Sequence, residues 1–145
     1  MQKITPCLWF NGRAEEAANF YVSLFKNSRI VSASPMMVVF ELDGLQIQLL
    51  NGGPTFTLNE AFSLSVSCAD QAEVDRLWNA LIADGGAESQ CAWLKDRFGV
   101  SWQIVPARLG QLMSDPDKEK AGRVMQAMLQ MKKIDIAGLE RAYAG

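Results

Sequence analysis

Gln46 and Gln48 alternate with Leu45, Ile47 and Leu49, and Gln103 alternates with Trp102 and Ile104. Successive side chains of an extended segment point to opposite faces, so each glutamine is turned away from an apolar row. Carboxamides carry donors and acceptors without charge, which suits them to orient a small polar ligand; otherwise they form an ordinary solvated sheet face. Thr5, Cys7 and Trp9 share one side of an earlier run, where Trp9 could stack on a ligand or pack as core. Ser63, Ser65 and Ser67 share one side of a later run. Cys7 and Cys91 are the candidate nucleophiles, but the chain holds no histidine to activate either. Both are read as small core hydrophobes instead. Trp93 is read as a rim residue and Trp102 as packed against helices. Lys95-Asp96-Arg97 is read as a solvated hairpin turn, and Met125, Met128 and Met131 as an adaptable packing surface.

The chain has 145 residues, a length that predicts one domain with a genuine core. Fourteen basic and 16 acidic side chains give a net charge of −2, and the densest basic run is Lys132-Lys133. No basic field is available to attract phosphates, so a nucleic-acid partner is not expected. Three cysteines (Cys7, Cys68 and Cys91) are too few and too irregular for a disulfide framework or a zinc site, and they suit the reduced thiols of a cytoplasm. The first residues lack the apolar run of a signal peptide, and no stretch approaches the ~18 apolar residues that span a bilayer. A cytoplasmic location without a membrane partner is the expectation.

The pattern of elements positions these residues. Residues 4–10 read as a strand, 13–25 as an amphipathic helix and 29–33 as a second strand. Residues 36–42 and 45–50 flank Asp43-Gly44, a strong hairpin signal. Asn51-Gly52-Gly53-Pro54 then breaks the chain. The second half repeats the order: a strand at 62–68, a helix capped by Asp70 and Glu73, and short strands at 88–93, 94–98 and 100–105. That helix carries Val74, Leu77, Trp78 and Leu81 on one stripe and ends near Asp84-Gly85-Gly86. Beyond Pro106, Asp115 is placed as the cap and Pro116 in the first turn of a helix striped by Ala121, Val124, Met125, Met128 and Leu129. A last helix is placed at 135–143. The expected fold class is α+β: two βαβββ modules, about 4–50 and 62–105, forming a curled, mostly antiparallel eight-stranded sheet with outer helices. A helical extension covers about 107–145.

A tandem βαβββ repeat of this size resembles the vicinal-oxygen-chelate superfamily, which includes glyoxalase and bleomycin-resistance proteins. Ile4-Thr5-Pro6-Cys7-Leu8-Trp9-Phe10, Phe20-Tyr21, Leu49-Leu50-Asn51-Gly52-Gly53, the long run from Trp93 to Pro106 and the Met-rich segment from Ala121 to Asp135 are similar to its PhnB-like subgroup. That subgroup often carries the label 3-demethylubiquinone-9 3-methyltransferase domain. The segment between Arg29 and Val39 looks shorter than in many relatives.

The resemblance implies a homodimer and a concave sheet face that, in metal-using members, carries four ligands drawn mainly from histidine and glutamate. The corresponding positions here are Thr5, Gln48, Gln103 and either Ala61 or Ser63. Neutral amides and hydroxyls cannot offset the hydration and charge of a divalent ion, so neither a metal nor another cofactor is expected. Methyl transfer usually needs a Gly-rich turn between a strand and a helix, and neither Gly52-Gly53-Pro54 nor Gly85-Gly86 has that context. The leading expectation is a metal-independent small-molecule-binding protein using Thr5, Cys7, Trp9, Gln46, Gln48, Ser63 and Gln103. The alternatives are an enzyme working through a thiol or an unusual metal site, and an interaction module acting through the C-terminal helices.

Overall fold

The computed structural model describes residues 2–145, which fall into two compact units, Met1–Leu58 and Asn59–Gly145. The first unit runs β1 (Cys7–Phe10), α1 (Ala14–Leu24), β2 (Arg29–Ala33), β3 (Met37–Leu42) and β4 (Leu45–Asn51). The second runs β5 (Ser63–Cys68), α2 (Gln71–Ile82), a single 3-10 turn, β6 (Ala87–Glu88), β7 (Trp93–Lys95) and β8 (Ser101–Pro106), followed by α3 (Ala107–Met113), α4 (Lys118–Leu129) and α5 (Ile136–Ala144). The α+β class and the repeated strand–helix–strand–strand–strand order are as expected. The eight strands are shared between two four-stranded sheets, ordered β1-β4-β3-β2 and β5-β8-β7-β6. In each, the first and last strands of the module pair in parallel and the remaining pairs are antiparallel.

Local signals explain most of these elements. Asp43 (φ 48°) and Gly44 (φ 83°) both take the left-handed conformation that a tight hairpin between β3 and β4 requires. Period-2 alternation sends Val38, Phe40, Leu42, Ile47 and Leu49 to one face, where α1 buries Ala14, Ala17, Ala18 and Tyr21. The Asn51 side chain at the end of β4 accepts from the Ala14 N–H at 3.2 Å, satisfying a donor at the start of α1. In the second unit Asp70 accepts from the Glu73 N–H at 2.9 Å, while the Glu73 carboxylate accepts from Ala69 N–H, a reciprocal cap. Val74, Leu77, Trp78 and Leu81 are all buried, and Trp102 and Ile104 lie buried on the sheet beneath.

Four expectations are corrected. The first strand begins at Cys7 rather than Ile4, although Pro6 still accepts from Gln48 N–H at 2.9 Å. The strand boundary placed between Trp93 and Leu94 falls instead at Ser89–Ala92, with Cys91 (φ 55°) and Ala92 (φ 80°) left-handed. Their N–H groups donate to the carbonyls of Met131 and Lys132, so a distant segment holds a bend that no local glycine announces. The cap of α4 is Asp117, which accepts from Glu119 and Lys120 N–H groups. Asp115 instead accepts from Asp117 N–H and from the Tyr143 hydroxyl. Of the α4 stripe only Val124 is fully buried, while Met125 and Leu129 are exposed. The C-terminal helices pack within their own unit: Val124, Ile134 and Leu139 join Leu109, Leu112 and Ala92 in one cluster, with Met128 and Met131 against it.

Candidate functional site

The functional side chains belong to sheet faces that the helices leave open. Directly paired residues on neighbouring strands share a face, so the register identifies the set. In the first unit Cys7 pairs with Gln48, Gln48 with Val39, Gln46 with Glu41 and Trp9 with Leu50. Cys7, Trp9, Gln46 and Gln48 therefore line one face, opposite the row packed on α1. Cys7 is exposed; Trp9 and both glutamines are partly buried. Thr5 lies just before β1 and is partly buried.

Two partners on this side escaped sequence reasoning. The Gln2 side chain donates to the Gln46 carbonyl at 2.9 Å and accepts from its N–H at 3.1 Å, pinning the N-terminal segment along the start of β4. Glu41 stands beside Gln46 and is held in a two-bond fork by Arg29, at 3.1 and 3.2 Å. A long-range side-chain clasp and a cross-strand ion pair leave no local spacing signal.

Trp9 is tightly held. Its indole N–H donates to the Gly53 carbonyl at 2.9 Å, and Phe56 meets its ring edge-on at 4.9 Å. A Cβ on Gly52 would sit 2.4 Å from the ring, so only glycine lets the chain pass over the indole. The Gly-Gly pair is thus the seat of a tryptophan.

In the second unit Ser65 pairs with Gln103, Gln103 with Trp93, and Ser101 with both Ser63 and Lys95. Gln103 Nε2 donates to Ser63 Oγ at 2.9 Å, so the structure brings Ser63, not Ala61, to the glutamine. Ala61 lies in the preceding turn, where its N–H donates to Asn59. Trp102 is buried on the helix side, as expected, and Trp93 is partly buried at the start of β7. The Lys95-Asp96-Arg97 turn corrects its reading as a solvated hairpin: Asp96 is only 2% exposed. Its Oδ1 accepts from the Phe98 and Val100 N–H groups and its Oδ2 from the Trp102 indole.

The three cysteines are free thiols in different settings. Burial pushes the Cys68 thiol up to about 12, helped by the Glu73 carboxylate nearby. Cys91 is partly buried in the bend before β7, and Cys7 alone is exposed on a glutamine-bearing face.

The donor set can be compared with what a divalent ion requires. Thr5 and Gln48 in the first unit, and Ser63 and Gln103 in the second, offer hydroxyls and amides, and Gln103 already spends an N–H on Ser63. Among the described residues no three His, Cys, Asp or Glu side chains gather as a ligand group. These residues do not fit the metal of the superfamily's metal-using members. Nor is any helix among the described residues long and apolar enough to cross a membrane.

Paired βαβββ units, each with a helix-backed sheet and an open polar face, define the glyoxalase/bleomycin-resistance type of fold. Within that class the chain belongs to the 3-demethylubiquinone-9 3-methyltransferase family, whose model matches residues 2–105. It is similar to a PhnB protein of Bacillus cereus carrying that same methyltransferase name, with 36% identity and a TM-score of 0.68 over 73% of this chain and all (100%) of the other. A Pseudomonas aeruginosa protein is 24% identical, with a TM-score of 0.58 over 73% of this chain and 98% of that one. A glyoxalase/bleomycin resistance protein/dioxygenase family enzyme of Burkholderia phytofirmans shares the fold at 15% identity and a TM-score of 0.52, over 69% of this chain and 94% of its own. No curated protein matches the chain.

Proposed function

We propose that this chain is a metal-independent binding protein for a small polar molecule, with Gln46 and Gln48 on one open face and Gln103 with Ser63 on the other as its hydrogen-bonding groups. The observation that carries the reading is the sorting of side chains. Apolar rows pack on α1 and α2, while the ligand-bearing positions of a metal-using fold hold neutral amides and hydroxyls. Such groups orient a ligand through directional hydrogen bonds without binding a cation. Thr5, Cys7 and Trp9 complete the first face, with Trp9 fixed by Gly53 and Phe56 and so presented in one orientation.

The methyltransferase name of the family does not extend to this chain's activity in our reading. Its first glycine pair seats Trp9 and its second ends the turn after α2, so neither cradles a nucleotide. The same reading takes the protein as a cytoplasmic homodimer, with exposed Met125 and Leu129 on α4 as a contact surface.

Thermal-shift screening of a polar metabolite panel, on protein purified without a histidine tag and with or without chelator, tests the proposal. The expected result is stabilisation that survives chelation and is lost on substitution within the face that binds, Gln48→Leu for the first unit's face or Gln103→Leu for the second's. Stoichiometric zinc, nickel or manganese in the purified protein would overturn it.

A further inference from the structure

A cavity of about 210 Å³ lies against Glu60, Ser89, Trp93, Lys95 and Ser101 in the second unit. Trp93, Lys95 and Ser101 stand on the same open face as Gln103 and Ser63, but neither of those two lines the cavity, which is a neighbouring subsite on that face. Its wall contains an anomaly. Ser101 is 2% exposed, and its Oγ is, among the described residues, the buried side-chain polar atom with no hydrogen-bond partner. The register pairs Ser101 with Lys95 and Ser63, which turns its side chain to the open face and away from buried Trp102. Buried polar groups are almost always hydrogen-bonded, so an orphan hydroxyl in a cavity wall marks the place of an absent partner.

The charges around it narrow the partner's chemistry. Lys95 Nζ lies 2.5 Å from the Glu60 carboxylate, and both side chains are substantially exposed. Such a pair contributes little to stability and opens readily for a competing charge. Glu88 also lines the cavity, but its carboxylate accepts from the Trp78 indole at 2.8 Å. The Lys95 ammonium, the Glu60 carboxylate and the unmatched Ser101 hydroxyl therefore face a ligand with Trp93 beside them, while Glu88 keeps its charge and is anchored to Trp78 through one oxygen. A lone anion would satisfy Lys95 and strand Glu60; a lone cation would do the reverse. At ~30 Å³ per water, the space corresponds to about seven waters, or roughly seven to ten non-hydrogen atoms.

We propose that this cavity binds a small zwitterion of free-amino-acid size, its carboxylate on Lys95 Nζ and Ser101 Oγ and its ammonium on Glu60.

Titration calorimetry and amide-shift mapping of the full chain with L-valine, isovalerate and isobutylamine test this, the latter two each lacking one charge of the first. L-valine is expected to saturate and to shift Trp93, Lys95 and Ser101, with each analogue about tenfold weaker for the loss of one charge-assisted bond. Ser101→Ala is expected to weaken L-valine about fivefold while raising the melting temperature, because an unsatisfied hydroxyl is removed. Lys95→Met is expected to weaken it about tenfold. Gln48→Leu, in the first unit, should leave it unchanged, which separates this site from the first unit's glutamine face. No saturation by L-valine at tens of millimolar, equal binding of the analogues, or insensitivity to both Ser101→Ala and Lys95→Met would overturn the proposal.

Discussion

Trp102 donates its indole N–H to Asp96 at 2.9 Å, joining a buried strand residue to the turn that precedes its strand. The other carboxylate oxygen accepts from Phe98 and Val100 N–H groups, so one side chain fixes the turn and the register of β7 against β8. Asp96→Ala leaves three donors without their partner. At about 1–3 kcal/mol for each unsatisfied buried donor, with Phe98 only partly buried, the expected loss is about 3 kcal/mol or more. Urea unfolding with tryptophan emission measures it, and a loss below about 1 kcal/mol would contradict the role assigned to Asp96.

Gly52 and Trp9 stand in a similar relation. A methyl group at 52 meets the indole at 2.4 Å, and the ring is also held by Gly53 and Phe56. Gly52→Ala is therefore expected to cost about 1–3 kcal/mol by overpacking and to break or lengthen the bond from the indole to Gly53. Melting temperature reports the cost, and the indole N–H resonance of Trp9 reports the displacement. An unchanged resonance would mean that the backbone yields instead of the ring.

The cysteines should label in order of access: Cys7 first, Cys91 next, and Cys68 only on unfolding. Burial raises the Cys68 thiol from 9.0 to about 12, so the folded chain keeps its proton where the unfolded chain has lost it. The stability this provides is complete below pH 9 and drains away as pH rises toward 12. Cys68→Ala should flatten that alkaline decline. Mass spectrometry of labelled peptides checks the order, and denaturant midpoints from pH 8 upward check the slope.

These cases show what the sequence made legible. The Asp43-Gly44 turn, the Asp70 cap and the α2 stripe rest on neighbours within a few residues, and each was readable from local spacing. The open faces carrying Gln46, Gln48 and Gln103 followed from period-2 alternation. The bend at Cys91 and Ala92 was not readable, because carbonyls some 40 positions away at Met131 and Lys132 hold it. Asp96 sits in a run of three charges, and composition favoured solvent over the buried indole and N–H groups that claim it. Gln2 and Glu41 likewise act through partners that only the fold brings near.

The C-terminal segment gives the last prediction. Ile134 and Leu139 are fully buried with Ala92, and the Tyr143 hydroxyl donates to Asp115 at 2.6 Å, tying the end of α5 to the segment before α4. The bond holds the Asp115 carboxyl below its usual 3.8 and the Tyr143 hydroxyl above its usual 10.0. Stability from the Asp115 side is present above pH 3.8 and is lost as pH falls through its lowered pKa. Stability from the Tyr143 side is present below pH 10.0 and is lost as pH rises through its raised one. Tyr143→Phe should thus flatten both limbs of the melting-temperature profile, by a small amount because the pair faces solvent. Ile134→Ala should act at every pH, costing about 2–5 kcal/mol through a cavity beneath Met131 and Lys132. Because those residues hold the Cys91–Ala92 bend, Ile134→Ala should also speed amide exchange at Cys91 and Ala92, whereas Tyr143→Phe should leave that exchange unchanged. Equal exchange in both variants would detach the C-terminal helices from the sheet they are argued to support.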